Sequence, residues 1–274
     1  MTLQLGGPLI LVGAGKMGGA MLIGWLDGGL DPKSTFILDP APAPEIIKLA
    51  GEKGLNIVSD VSRLPKDSAV MVLAVKPQIM DDVLPNLKDV VSDQTVALSI
   101  AAGKTLASIA GHLGADRAIV RSMPNTPAAI GRGITVACAN AHVSKAQKDA
   151  CTSLLAAAGA VAWTEEETAL DPVTAVSGSG PAYVFLLAEC LEEAGVQAGL
   201  DRTLARQLAR ETVSGAGELL RRSEEDAAIL RQNVTSPGGT TAAALDILMS
   251  SDGFPDLLAR AVKAAAQRSR ELSS

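Results

Sequence analysis

The chain has 274 residues, 47% of them hydrophobic, enough for two ordinary domains with cores of their own. A formal net charge of −6 without a long basic block removes the electrostatic reason to expect nucleic acid or an anionic membrane as partner, and no run reaches the roughly 18 apolar residues of a membrane span. Cys138, Cys151 and Cys190 show no CxxC spacing and sit in apolar stretches, which points to reduced, buried thiols in a cytoplasmic protein with neither disulfide nor metal centre.

The first element is the apolar run Leu9 to Val12, read as a strand rather than a signal peptide because no basic segment precedes it. It leads directly into Gly13-Ala14-Gly15-Lys16-Met17-Gly18. Gly13 and Gly15 let the backbone bend and an anion approach, and Gly18 lets the following helix pack on the strand. Ala20, Met21, Ile23 and Leu26 give that helix an apolar face, so the glycines stand at a helix N-terminus, where free N–H groups and the dipole favour a diphosphate. A second strand, Thr35 to Leu38, ends in Asp39 about 20 residues beyond Gly18, as a dinucleotide-binding unit requires.

After the prolines at 40, 42 and 44, short apolar runs and helical stretches alternate: a helix over 45–53, strands at 56–58 and 69–75, a helix over 79–90, a strand at 96–100, a helix over 106–113 and a strand at 118–120. Strand 134–138, a helix over 145–158 and strand 161–163 follow. Repeated βα units predict an α/β, mostly parallel, doubly wound sheet over residues 1–164, whose ligands collect at the carboxyl ends of the strands. From Glu165 to residue 274 strand signals give way to helical periodicity, which predicts an all-helical second domain. Pro181 to Gly195 reads as one helix, and Asp201 as the cap of the next, which runs to Arg221-Arg222. Ala243 to Met249 and Leu257 to Arg270 supply two more. Their many Ala and Leu side chains predict that a partner subunit covers part of this domain. Within it, Ser236-Pro237-Gly238-Gly239-Thr240-Thr241 brings hydroxyls and open backbone to a helix start, an arrangement that suits a carboxylate or a phosphate.

Taken together, Gly13 to Gly18, Ala74-Val75-Lys76-Pro77, Ser99-Ile100-Ala101-Ala102-Gly103, Met123-Pro124-Asn125-Thr126-Pro127, Ser177-Gly178-Ser179-Gly180-Pro181-Ala182-Tyr183 and Ser236 to Thr241 resemble pyrroline-5-carboxylate reductase over nearly the whole chain. The resemblance implies hydride transfer from NADPH or NADH to the cyclic imine of 1-pyrroline-5-carboxylate, giving L-proline, by a homodimer intertwined through its helical domain. Such dimers often assemble into larger rings, with the active site between the nucleotide domain of one subunit and the helical domain of its neighbour.

The residues suit that chemistry. Backbone N–H groups of Gly239, Thr240 and Thr241 can fix a carboxylate, Ser236 adds a hydroxyl, and the Thr241 hydroxyl can bond the ring nitrogen. The resemblance puts Glu167 near the substrate and Asn233 near the cofactor. It assigns Gly13, Ala14, Gly15, Lys16, Met17, Gly18, Asp39, Ala74, Val75, Lys76, Pro77, Ile100, Ala101, Ala102 and Asn125 to the cofactor as well, Lys76 chiefly through its backbone. Many relatives carry a neutral or basic residue at the position of Asp39, and a carboxylate there would bond a ribose 2′-hydroxyl and repel a 2′-phosphate, which favours NADH. His112 and His142 are remote from these motifs, so the proton gained by nitrogen arrives with the substrate or through water. Two rival readings stand beside this one. A hydroxy-acid dehydrogenase using a lysine of the helical domain meets the objection that Lys263 is the first lysine there, and a non-catalytic dinucleotide sensor leaves Ser236, Gly239 and Thr241 without a role.

Overall fold

In the computed structural model, which describes residues 3–273, the alternation of the first half closes into one eight-stranded sheet. Its elements are β1 (Leu9–Val12), α1 (Lys16–Asp27), β2 (Thr35–Leu38), α2 (Pro44–Lys53), β3 (Asn56–Val58), β4 (Val70–Leu73), α3 (Pro77–Leu87), β5 (Val96–Ser99), α4 (Leu106–Leu113), β6 (Ala118–Met123), β7 (Gly133–Ala139), α5 (Lys145–Ala156), β8 (Gly159–Thr164) and a short α6 (Leu170–Val173). The strand order is β3-β2-β1-β4-β5-β6-β7-β8, and every neighbouring pair is parallel except β6 with β7. The order turns back at β1, since β2 lies on one side of it and β4 on the other. The crevice beyond the carboxyl ends of β1 and β4 is therefore the switch point where such sheets bind ligands.

Residues along each central strand go alternately to opposite faces, and both faces are covered. Leu9, Leu11, Val70 and Val72 meet Met21, Leu22 and Trp25 of α1 and Leu154 and Leu155 of α5. Ile10, Val12, Met71 and Leu73 meet Met80, Leu84 and Leu87 of α3 and Ile109 and Leu113 of α4. This double burial is why the strands read as continuous apolar runs. The indole of Trp25 also donates to the Leu154 carbonyl at 2.8 Å, satisfying an acceptor in the last turn of α5, where helix carbonyls lack partners of their own. β4 is shorter than its apolar run, covering 70–73, although the Ala74 N–H still donates to the Val12 carbonyl at 2.8 Å, while β6, β7 and β8 extend beyond the expected 118–120, 134–138 and 161–163.

The chain divides into two compact units, residues 1–178 with 265–274, and residues 179–264. The second contains α7 (Gly180–Gln197), α8 (Arg202–Arg222), α9 (Ala227–Asn233), α10 (Thr240–Leu248) and most of α11 (Phe254–Ser273). Asp201 caps α8 as the sequence predicts, its Oδ1 accepting from the N–H groups of Thr203 and Leu204. α7 does not stop at Gly195. A side chain there would lie 3.3 Å from the Ala205 Cβ, so this glycine serves close packing of α7 on α8, and the chain turns instead at Gly199, where φ is +100°. The seven-residue α9, absent from the sequence reading, precedes the Ser236 turn. The last turns of α11 belong to the first unit, where the Ser269 hydroxyl donates to Asp171 Oδ1 at 2.7 Å.

No residue of α7 or α10 is buried within the chain, and apolar side chains lie open in this unit, Phe185 at 63% and Ile247 at 75% exposure. Cys190, expected to be buried, shares that openness, because α7 turns its face away from its own chain. Cys138 and Cys151 are buried, and burial pushes the Cys151 thiol up to about 12. Among the described residues no helix is long and apolar enough to cross a membrane.

Replacing Trp25 by Phe keeps most of the packing but strands the Leu154 carbonyl. We expect a loss of about 2 kcal/mol in unfolding free energy, read from the shift of the urea midpoint.

Candidate active site

The glycine turn is held by the sheet. Gly13 has φ +87°, and a side chain on it would come within 2.9 Å of Val75 Cγ1, so its place beside β4 requires glycine. At Gly18 an added Cβ would meet the Gly13 carbonyl oxygen at 2.6 Å and the Ala74 Cβ at 3.0 Å, which shows how closely α1 enters against the strand ends. Gly15 differs: nothing lies within 4 Å of where its Cβ would be, and it stands as the N-cap of α1 with no side chain bonded to the helix start. An open backbone above uncapped N–H groups fits the diphosphate of a dinucleotide.

Asp39, at the tip of β2, accepts from the Ala14 N–H through Oδ2 and from the Ala41 N–H through Oδ1, both at 3.0 Å. The carboxylate thus fixes the turn as well as facing the crevice, and each oxygen retains a lone pair for a further donor. Lys76 is exposed and begins α3 as its N-cap, with Pro77 at the first helical position, so its backbone lies in the loop after β4. The loop after β5 is tied by the Ser99 hydroxyl, which accepts from the Ala101 N–H at 3.3 Å. Asn125, following β6, uses its side chain within the protein: Oδ1 accepts from the Ile134 N–H at 3.0 Å and Nδ2 donates to the Ser177 carbonyl at 3.1 Å. Ser177 lies in a π-helical turn, Thr174–Gly178, and a Cβ on Gly178 would touch Met123 at 2.5 Å, so the Met-Pro-Asn turn and the first half of the Ser-Gly-Ser-Gly segment pack directly together.

Glu167 lies on the same rim. Its Oε1 accepts from Arg121 Nη1 at 2.8 Å and from the Leu106 N–H, in the first turn of α4, at 2.7 Å. Arg121 is only 5% exposed, and sequence reasoning missed it. The signal was present: it is the one charged residue in any of the eight strands. Cys138 stands opposite Arg121 across β6 and β7, and burial first and the Glu167 charge second raise its thiol pKa, while Arg121 opposes them.

In the second unit, Gly239 is the N-cap of α10, and no side chain bonds to that helix start either. Gly238 turns the chain with φ +69°, and the Gly239 N–H closes the turn on the Ser236 carbonyl at 3.0 Å. Ser236 and Thr240 are exposed and Thr241 half-buried. Asn233, the last residue of α9, donates to Glu225 Oε2 at 3.2 Å. Each unit therefore presents a helix N-terminus that follows glycine and has no capping side chain, at α1 and at α10.

Comparison with known proteins matches both units. A family profile described as pyrroline-5-carboxylate reductase dimerisation matches residues 167–272, and one described as NADP oxidoreductase coenzyme F420-dependent matches residues 9–103. The pyrroline-5-carboxylate reductase of Pseudomonas aeruginosa is 40% identical over 97% of this chain and 96% of its own length. A solved pyrroline-5-carboxylate reductase from Coxiella burnetii superposes with a TM-score of 0.91 at 35% identity, covering 98% of this chain and 99% of that one. The Plasmodium falciparum pyrroline carboxylate reductase, solved with NADP bound, gives 0.83 at 31% identity over 99% and 100% of the two chains.

The two glycines of the turn separate fold from binding. In Gly15→Ala the added methyl enters open space above the helix start, so the melting temperature should hold while the dissociation constant for the dinucleotide rises about tenfold. Gly18→Ala presses on backbone and should lower the melting temperature and raise the dissociation constant together, as calorimetry and titration will read.

Proposed function

This chain belongs to the pyrroline-5-carboxylate reductase family, and on that premise we infer that it is the NAD(P)H-dependent oxidoreductase that reduces the C=N bond of 1-pyrroline-5-carboxylate to L-proline, the last step of proline biosynthesis. The observation that carries the substrate assignment is the α10 start, where Thr240 and Thr241 offer backbone N–H groups with no capping side chain to compete for them, whereas the expected third donor, the Gly239 N–H, is already given to the Ser236 carbonyl. These groups hold the substrate carboxylate, joined by the Ser236 hydroxyl. The Thr241 hydroxyl bonds the ring nitrogen and turns the imine carbon to a fixed orientation, so that positioning supplies most of the rate. The hydride adds to carbon, and nitrogen ends with one more proton, carried in with the substrate or passed from water. No side chain acts as a nucleophile.

The α1 start, with Gly13 to Gly18, holds the diphosphate, and the loops at Ala74 to Pro77, Ile100 to Ala102 and Asn125 line the rest of the dinucleotide, with Asn233 a further contact. Bound NAD(P)H supplies the hydride. Asp39 favours NADH, since its carboxylate accepts from a ribose hydroxyl and repels a 2′-phosphate. The exposed apolar side chains of α7 and α10 support a homodimer paired through the helical unit, which agrees with the description of the profile that matches there. Free thiols throughout accord with a cytoplasmic enzyme.

Loss of NAD(P)H absorbance on adding pyrroline-5-carboxylate tests the activity directly, and no turnover with the imine would overturn it. In the same assay Thr241→Ala should lower kcat about 10 to 100-fold with the dinucleotide dissociation constant unchanged. The parent should show the larger kcat/KM with NADH. Asp39→Asn, which removes the charge but keeps an acceptor for the Ala14 N–H, should move the ratio towards NADPH, and an NADPH preference in the parent would refute the role given to Asp39.

A further inference from the structure

We propose that Arg121 and Glu167 form a positioning device for the dinucleotide: the pair of buried Arg121 and half-buried Glu167, with the Leu106 N–H on the same carboxylate oxygen, holds the loops after β5 and β6 in binding geometry. Three segments distant in sequence meet on one atom, Glu167 Oε1, which receives Arg121 at 2.8 Å from β6 and Leu106 at 2.7 Å from α4. Each anchor adjoins a segment assigned to the cofactor. Leu106 follows the loop of Ile100, Ala101 and Ala102, separated from it only by Gly103, Lys104 and the cap Thr105. Arg121 lies four residues before Asn125, whose amide in turn fixes Ser177 and Ile134.

Neighbouring polar groups extend the same lattice inward. Ser99 pairs with Arg121 in the β5–β6 register, and its hydroxyl accepts from the Ala101 N–H while its carbonyl accepts from the Ser122 hydroxyl at 2.8 Å. Ser99, Arg121 and Ser122 are all buried, whereas the ends of β1, β2 and β4, Val12, Leu38 and Leu73, are apolar. Stability does not account for a charge there, since a buried ion pair is commonly replaced by well-packed apolar residues without loss. What the pair adds is direction. A bonded guanidinium and carboxylate permit one arrangement of the two loops, whereas apolar contacts would permit several.

The proposal rests on the reading that these loops line the dinucleotide, and it gives Glu167 a different task from the direct substrate contact implied by family resemblance. Titrating the full chain with NADH by calorimetry needs no turnover and reads the effect directly. Glu167→Ala should raise the NADH dissociation constant at least about tenfold, with KM for pyrroline-5-carboxylate at saturating NADH within about twofold of the parent. Glu167→Gln keeps an oxygen for both donors and should stay within about threefold. A folded Glu167→Ala protein with unchanged NADH affinity overturns the proposal, and so does a rise confined to the imine KM, which would place Glu167 on the substrate. Should Glu167→Ala fail to fold, the paired change Arg121→Met with Glu167→Gln removes the ion pair while preserving bulk. NADH affinity equal to that of the parent would then reduce the pair to packing. Ala102→Glu tests the underlying reading separately: if it too leaves NADH binding intact, the loop assignment is at fault, whereas weakened binding there with none in the Glu167 variants refutes the positioning role alone.

Discussion

Leu9, Ile10, Leu11 and Val12 have essentially no exposed surface, and the structure follows from that burial on both faces. A parallel strand covered by α1 and α5 on one side and α3 and α4 on the other has nowhere to place a functional group along its length. Chemistry is confined to the ends, where the chain leaves the sheet. The glycine turn, Asp39, the loop before Pro77, the Ser99 loop and the Asn125 turn all occupy such ends, and the reversal of strand order at β1 keeps the crevice between them open.

Polar groups at this rim mostly bond to the protein itself. Asp39 braces Ala14 and Ala41, Asn125 braces Ile134 and Ser177, and Glu167 braces Arg121 and Leu106. Loops that must present bare backbone to a ligand have few side chains of their own to stiffen them, so neighbouring carboxylates and amides supply the rigidity. The glycine turn shows the same division of labour. Gly13 and Gly18 are demanded by crowding against Val75, Ala74 and each other, while Gly15 leaves space.

The helical unit obeys a different constraint. Its helices are amphipathic, yet α7 and α10 bury no residue within their own chain, and Phe185, Leu186 and Ile247 remain open. Contiguous apolar surface of this kind is costly to leave in water, which is the physical basis of the pairing proposed for this unit. The continuation of α7 past Gly195 follows from packing on Ala205 of α8 and not from the local sequence.

Local signals were enough to reveal the doubly wound sheet, the glycine turn at the α1 start, the Asp201 cap and a helix after the Ser236 turn, which begins at Thr240 rather than at Ala243, because each depends on a few adjacent residues with restricted backbone or exposed N–H groups. The β4 run overshot because apolar character continues into the loop while ladder pairing stops, and β6, β7 and β8 were read too short because pairing continues through polar and small residues. The antiparallel pairing of β6 with β7, the packing purpose of Gly195 and the junction of Arg121, Glu167 and Leu106 came only with the tertiary structure. These features join residues up to 61 positions apart, and no local periodicity or spacing encodes which distant partner a buried charge will meet.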